Sequence, residues 1–203
     1  GLFRHRTEMP GTYQGFEAFN VANDFFSKRN TVFVTDDPIA SVMAYEIVRD
    51  DAPKSLSILV NGKSDGNTLG DHRTMSLLAT IPALLAERAE RGFVIGWGTG
   101  VTAGQLALLD SIQTVDVAEI SPGVIAASPL FDFANGNAST NPKINVIQSD
   151  AYRALVRTDK TFDVIIAEPS NPWVTGIEML FSQEFLEVAK GKLSPGGVYG
   201  QWY

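Results

Sequence analysis

The sequence contains no cysteine, which excludes disulfide bonds and every metal site built on thiolates. Histidine occurs only twice, at His5 and His72, so a zinc centre or a His-based catalytic triad is not expected and no metal is assigned. No apolar run approaches the roughly 18 residues needed to cross a bilayer. The opening Gly1-Leu2-Phe3-Arg4-His5-Arg6 also lacks the apolar stretch of a signal peptide. The expectation is therefore a soluble, cytoplasmic chain that inserts into no membrane itself. Positive charge is scarce: 16 Lys and Arg stand against 23 Asp and Glu, a net charge of −7. Affinity for phosphate backbones comes from clustered Lys and Arg, so nucleic acid is not expected as a partner. Small cationic ligands suit this balance better, and an acidic surface also serves solubility. Internal repeats and low-complexity tracts are absent.

What is present is an ordinary globular composition, 203 residues with 44% hydrophobic and 19% charged, enough for one good core. The style of the sequence changes near residue 74. Before it, residues 1–73 comprise a mixed arm, in which Phe16–Phe26 reads as a short helix or an irregular segment, and a small β module. The strands of that module are Thr31–Thr35, Ser41–Val48 and Ser55–Val60, separated by Asp-Pro and Ala-Pro turn chemistry and ending at Asn61-Gly62. After it, residues 74–203 alternate strand and helix. An amphipathic helix over Thr74–Arg91 presents Met75, Leu77, Leu78, Ile81, Leu84 and Leu85 at helical spacing, continuing past Pro82 or bending there. Apolar strands follow at Phe93–Trp97, Val115–Ile120, Ile144–Gln148, Phe162–Ala167 and Gly197–Trp202. Helices fall between them at Thr102–Leu109, Gly123–Phe133, Ala151–Val156 and Ser182–Lys192. Such alternation predicts a doubly wound parallel sheet whose ligands sit at the carboxyl ends of its strands. The chain stops after the fifth strand, so the sheet is expected either to be a piece of a larger one or to have its open edge covered by a partner chain.

Four features at those strand ends carry chemistry. Gly96-Trp97-Gly98-Thr99-Gly100 lies between a strand and a helix, where glycines let the backbone turn sharply and approach a ligand closely. A dinucleotide fingerprint would want another glycine at Val101, so the loop points away from NAD; a tight turn without a ligand is the alternative. Glu119, followed by Ile120, ends the next strand about 20 residues further on, where an acid can accept both hydrogen bonds of a ribose diol or simply be solvated. Asp150-Ala151 follows the third strand, where the carboxylate can take an adenine amino hydrogen, cap the following helix, or do both. Glu168-Pro169-Ser170-Asn171-Pro172-Trp173 follows the fourth strand. A carboxylate there, beside a proline-rich loop, suits a general base or a cation anchor; a rigid proline turn is the alternative.

Taken in order, these motifs resemble the spermidine synthase (polyamine aminopropyltransferase) family from about Tyr45 onward. The resemblance extends to Asn61-Gly62 before the helix reaching Ile81-Pro82, to Phe162–Pro172, and to Leu180-Phe181, Glu184-Phe185 and Gly196-Gly197. It is strongest to bacterial spermidine-synthase-like domains fused to membrane segments, through Asp71–Thr74, Gly98–Gly104 and Glu168–Trp173, which implies possible tethering in a longer parent protein. The resemblance implies a Rossmann-like fold of the S-adenosylmethionine-dependent methyltransferase type with a small N-terminal antiparallel β module, often dimeric. It implies a transferase that moves an aminopropyl group from decarboxylated S-adenosylmethionine to an amine such as putrescine. Gly96, Gly98, Thr99, Gly100, Glu119, Ile120, Asp150 and Ala151 would hold the donor and Glu168, at the place of the family's catalytic Asp, would deprotonate the amine.

The sequence also departs from the family. Thr99 replaces an Asp that holds the donor's ammonium, Asn171 replaces a second loop acid, and Thr74 and Met75 replace polar acceptor-side positions. An acid near the donor's tail repels the carboxylate of ordinary S-adenosylmethionine, and Thr99 removes that repulsion. Asp65, Asp71 and Glu178 are candidates to replace the lost acids, with Asn171 and Trp173 on the acceptor side. Two other readings therefore stand beside aminopropyl transfer: methyl or aminocarboxypropyl transfer from ordinary S-adenosylmethionine, and a non-catalytic ligand-sensing module of a membrane protein.

Overall fold

The structure, a computed structural model, describes residues 29–48, 53–169 and 177–202. The expected element over residues 16–26 and the site candidates Asn171 and Trp173 lie outside the described residues. The first sheet is antiparallel, with β1 (Arg29–Asp36), β2 (Ser41–Ile47), β3 (Ser55–Val60) and β4 (Lys63–Asn67) in sequential order. The first three strands lie where the alternation of the sequence places them. The fourth does not follow from its composition, Lys-Ser-Asp-Gly-Asn, which offers no apolar face. It exists because Asn61 and Gly62 both take positive φ, 51° and 75°, and turn β3 back on itself into a hairpin. Asn61-Gly62 is thus a turn inside the sheet and not its end.

The helix α1 (His72–Leu85) starts earlier and stops sooner than its apolar spacing suggests. Its buried face is also different: Met75, Ala79, Pro82 and Ala83 point inward, whereas Leu77, Ile81, Leu84 and Leu85 are exposed. Beyond Met75, smaller residues take the inner face, where the helix lies close to the sheet. A Cβ on Gly200 would come within 2.7 Å of Pro82 Cγ, so that contact requires a glycine opposite the proline ring.

The second sheet contains β5 (Arg91–Ile95), β6 (Thr114–Glu119), β7 (Ile144–Gln148), β8 (Phe162–Ala167) and β9 (Leu193–Gln201). All neighbours are parallel, in the order β7-β6-β5-β8-β9. The helices α2 (Val101–Ala107), α3 (Pro122–Ala127), α4 (Ala151–Arg157) and α5 (Gln183–Lys192) lie between successive strands. The continuous helix expected over Gly123–Phe133 breaks at Ser128-Pro129 into a 3-10 turn and a short helix, Asp132–Asn135, because proline offers no amide to the preceding turn.

Alternation along β5 shows how the sheet is covered on both faces, as a parallel sheet requires. Val94 joins a layer containing Ala79 and Ala83 of α1, Leu106 of α2, Val124 of α3, and Val42, Ala44, Leu56 and Ile58 of the antiparallel sheet. Phe93 and Ile95 join the opposite layer with Leu155 of α4 and Phe185 of α5. The two sheets therefore share one hydrophobic layer. Asp37, in the turn after β1, fastens them further by accepting the Ser121 hydroxyl at 2.6 Å and the Gly123 amide at 2.9 Å. Burial raises the pKa of this carboxyl but is outweighed by those bonds and by the amides of Ala40 and Ile39, which bring it down to about 2.

Candidate active site

The strand order reverses at β5, whose neighbours β6 and β8 are each reached by connections running in opposite directions. In an open α/β sheet, that reversal opens a crevice beyond the carboxyl ends of the strands. β5 ends at Ile95 and β8 at Ala167, so the glycine loop and Glu168 emerge side by side at this point.

The loop has the shape its composition dictates. Gly96, Gly98 and Gly100 all take positive φ, at 83°, 53° and 74°, a region that costs a side chain roughly 1 kcal/mol or more. A Cβ at Gly96 would meet nothing within 4 Å, whereas one at Gly98 would lie 3.7 Å from the Asp65 carbonyl of β4. The backbone is thus open to a ligand at Gly96, while β4 closes over Gly98. Thr99 is buried, and its hydroxyl donates to Met75 Sδ at 3.3 Å. Two of the positions that depart from the family pattern are therefore in contact with each other. Trp97 packs inward beside Gly100, its Nε1 buried without a hydrogen-bond partner.

Glu119 is neither solvated nor free to swing. It is buried, with Oε2 accepting the Trp97 amide at 2.8 Å and Oε1 accepting the Ser121 amide at 2.8 Å. Burial pushes its carboxyl above the ordinary value, and the two amides oppose that rise. Each oxygen has lone-pair capacity left for a further donor. Ile120, just after it, is exposed. Asp150 stands on the neighbouring strand tip: Glu119 pairs with Gln148, and the Ser149 amide donates to the Glu119 carbonyl at 3.0 Å. Asp150 caps α4 by accepting the Arg153 amide at 2.9 Å, and Ala151 beneath it is buried. Its role as a helix cap is therefore seen directly, at the same rim of the sheet as Glu119.

Glu168 is partly buried at the switch point, and its Oε2 accepts the Thr102 hydroxyl of α2 at 2.8 Å. Its carboxyl is raised to about 7, first by burial and then by the charges of Asp71 and Asp65, with the Thr102 hydroxyl acting in the opposite direction. Asp71 immediately precedes α1 but makes no side-chain capping bond. Asp65 lies on β4, 3.9 Å from Lys63 Nζ. Glu178 sits exposed at the head of a 3-10 turn, Glu178–Phe181. Sequence reasoning did not single out Thr102. Its signal was a β-branched hydroxyl residue in the first turn of a helix that otherwise buries only apolar side chains and glycine there.

A glycine loop with acids on successive strand tips, set at the reversal of a doubly wound parallel sheet, defines a Rossmann-like α/β protein with a crevice at its topological switch point. The sequence profile of the Spermine/spermidine synthase domain matches residues 71–201, well over half the chain, and the protein belongs to that family. A polyamine aminopropyltransferase of Klebsiella pneumoniae subsp. pneumoniae is 30% identical over 124 residues, covering 61% of this chain and 43% of that protein. One from Salmonella arizonae is 29% identical over 125 residues, with the same coverage of 61% and 43%. The chain thus spans less than half the length of the curated relatives it matches. Among solved structures, spermidine synthase in complex with the transition-state analogue AdoDATO superposes with a TM-score of 0.75 at 20% identity, over 84% of this chain and 57% of that one. Spermidine synthase from Thermotoga maritima gives 0.73 at 19% identity, over 84% and 56%. Both share the fold described above. Among the described residues no helix is long and apolar enough to cross a membrane.

Proposed function

We propose that this chain carries the donor site and catalytic base of an aminopropyltransferase that uses decarboxylated S-adenosylmethionine and a small amine of the putrescine type. The observation that carries this reading is the convergence, at one switch point, of an open glycine turn with a carboxyl raised to about 7. A base poised near neutral pH is what deprotonation of an alkylammonium ion requires. Glu119 receives the ribose hydroxyls, Asp150 the adenine amino group, and Ile120 and Ala151 flank the ring. Gly96, Gly98 and Gly100 shape the backbone under the donor. Asp65 and Asp71 attract the cationic amine, and Asn171 and Trp173 belong to the acceptor side. Glu168 takes the proton as the amine nitrogen bonds to the donor's propyl carbon; the carbon–sulfur bond breaks and methylthioadenosine leaves. Positioning of the two reactants supplies most of the acceleration.

Incubation with decarboxylated S-adenosylmethionine and putrescine, followed by mass spectrometry, tests the proposal. Methylthioadenosine and an aminopropylated amine are expected together, and neither product from wild-type protein would refute it.

Thr99 favours a second reading. Its hydroxyl is turned to Met75, so this position places no negative charge against a donor carboxylate, and ordinary S-adenosylmethionine becomes admissible for methyl or aminocarboxypropyl transfer. Tenfold or greater preference for the decarboxylated donor in a binding titration would exclude this reading.

A further inference from the structure

We infer that Thr102 is a positioning residue for the base: its hydroxyl, buried on α2, fixes the Glu168 carboxyl so that Oε2 is engaged and Oε1 is left to the amine. This rests on the assignment of Glu168 as the base. Thr102 is 5% exposed, and its neighbours Val101, Ala103 and Gly104 are buried as well. A buried hydroxyl must be satisfied, and its partner is the Glu168 oxygen at 2.8 Å. The contact crosses between elements, from the first turn of α2 to the tip of β8, over 66 residues of sequence. A hydroxyl in a helix commonly bonds back to the preceding turn; here it is spent on a carboxylate instead.

The need for such an anchor follows from the side chain it holds. Glutamate has more rotatable bonds than aspartate, and fixing it has a corresponding entropic cost. Its surroundings also disfavour ionisation, through burial and through Asp71 ahead of α1 and Asp65 on β4, the latter itself near Lys63. The hydroxyl is the contact that favours the ionised, reactive form. Thr102 therefore holds the carboxylate in place and lowers the pH at which it becomes a base, against the larger effect of burial.

The test is a titration of the Glu168 carboxyl by carbon-13 NMR in glutamate-labelled protein, its signal assigned by its loss in Glu168→Gln. Thr102→Val, which preserves shape, is expected to raise the midpoint by about one unit, a tenfold change in the ionisation constant. Thr102→Ser, which keeps the hydroxyl, is expected to restore it. With decarboxylated S-adenosylmethionine and putrescine as probes, the acidic limb of kcat/KM should move upward with the midpoint, while the donor KM stays within twofold. Thr102→Ala provides the same comparison should Thr102→Val fold poorly. An unchanged midpoint in these variants overturns the inference. Full turnover by Glu168→Gln would instead overturn the assignment of the base, an outcome the NMR titration distinguishes.

Discussion

Glu119 and Trp97 are joined across the mouth of the parallel sheet, the carboxylate at the tip of β6 accepting the amide of the glycine loop at 2.8 Å. Because the other oxygen holds the Ser121 amide, the shape of the loop and the orientation of the carboxylate are a single unit. Glu119→Gln replaces one acceptor oxygen by a donor, which leaves a buried amide facing an NH2 group. The expected loss of stability is about 1–3 kcal/mol, measured by urea denaturation. Wild-type stability in this variant would show that the loop does not depend on the carboxylate.

Glu168 links stability to pH in a direction opposite to that of most carboxylates. It titrates at about 7 when folded, against an ordinary value of 4.5. Between those values the folded state binds more protons than the unfolded one, so stability falls as pH rises from about 4.5 to 7. Glu168→Gln removes that penalty. The variant should match wild type at pH 4 and exceed it at pH 8 by up to about 3 kcal/mol, as read by denaturant titration at each pH. Equal stability at pH 8 would show that the carboxyl is not perturbed.

Close packing of α2 on the segment after α3 gives a paired test of the core. A Cβ on Gly104 would collide with the backbone carbonyl of Asn135, whereas one on Gly191, in α5, would meet nothing within 4 Å. Gly104→Ala should therefore destabilise by about 1–3 kcal/mol. Gly191→Ala should be neutral or stabilise by up to about 1 kcal/mol. Thermal melts of both variants decide this, and equal effects would contradict the packing described.

How far the sequence disclosed this molecule can be judged from particular residues. The five parallel strands were legible because residues such as Val94 and Ile165 sit on apolar runs of strand length. The strand-tip acids were legible because Glu119 and Asp150 follow those runs directly. β4 was not, because its residues carry no alternation and its pairing depends on the turn at Asn61-Gly62. The inner face of α1 was misread because hydrophobicity ranks Leu77 and Leu84 above Ala79, whereas close approach to Gly200 and the sheet selects small side chains. Thr102 escaped notice because its meaning lies in a contact with Glu168, which only the folded arrangement supplies.

Calorimetric titration with methylthioadenosine tests most directly the claim that the β5–β8 switch point is an adenosine site. Saturable one-to-one binding by the wild-type protein is expected, weakened tenfold or more in Glu119→Gln and in Asp150→Asn. Absence of binding by the wild-type protein, or undiminished binding by both variants, would contradict it.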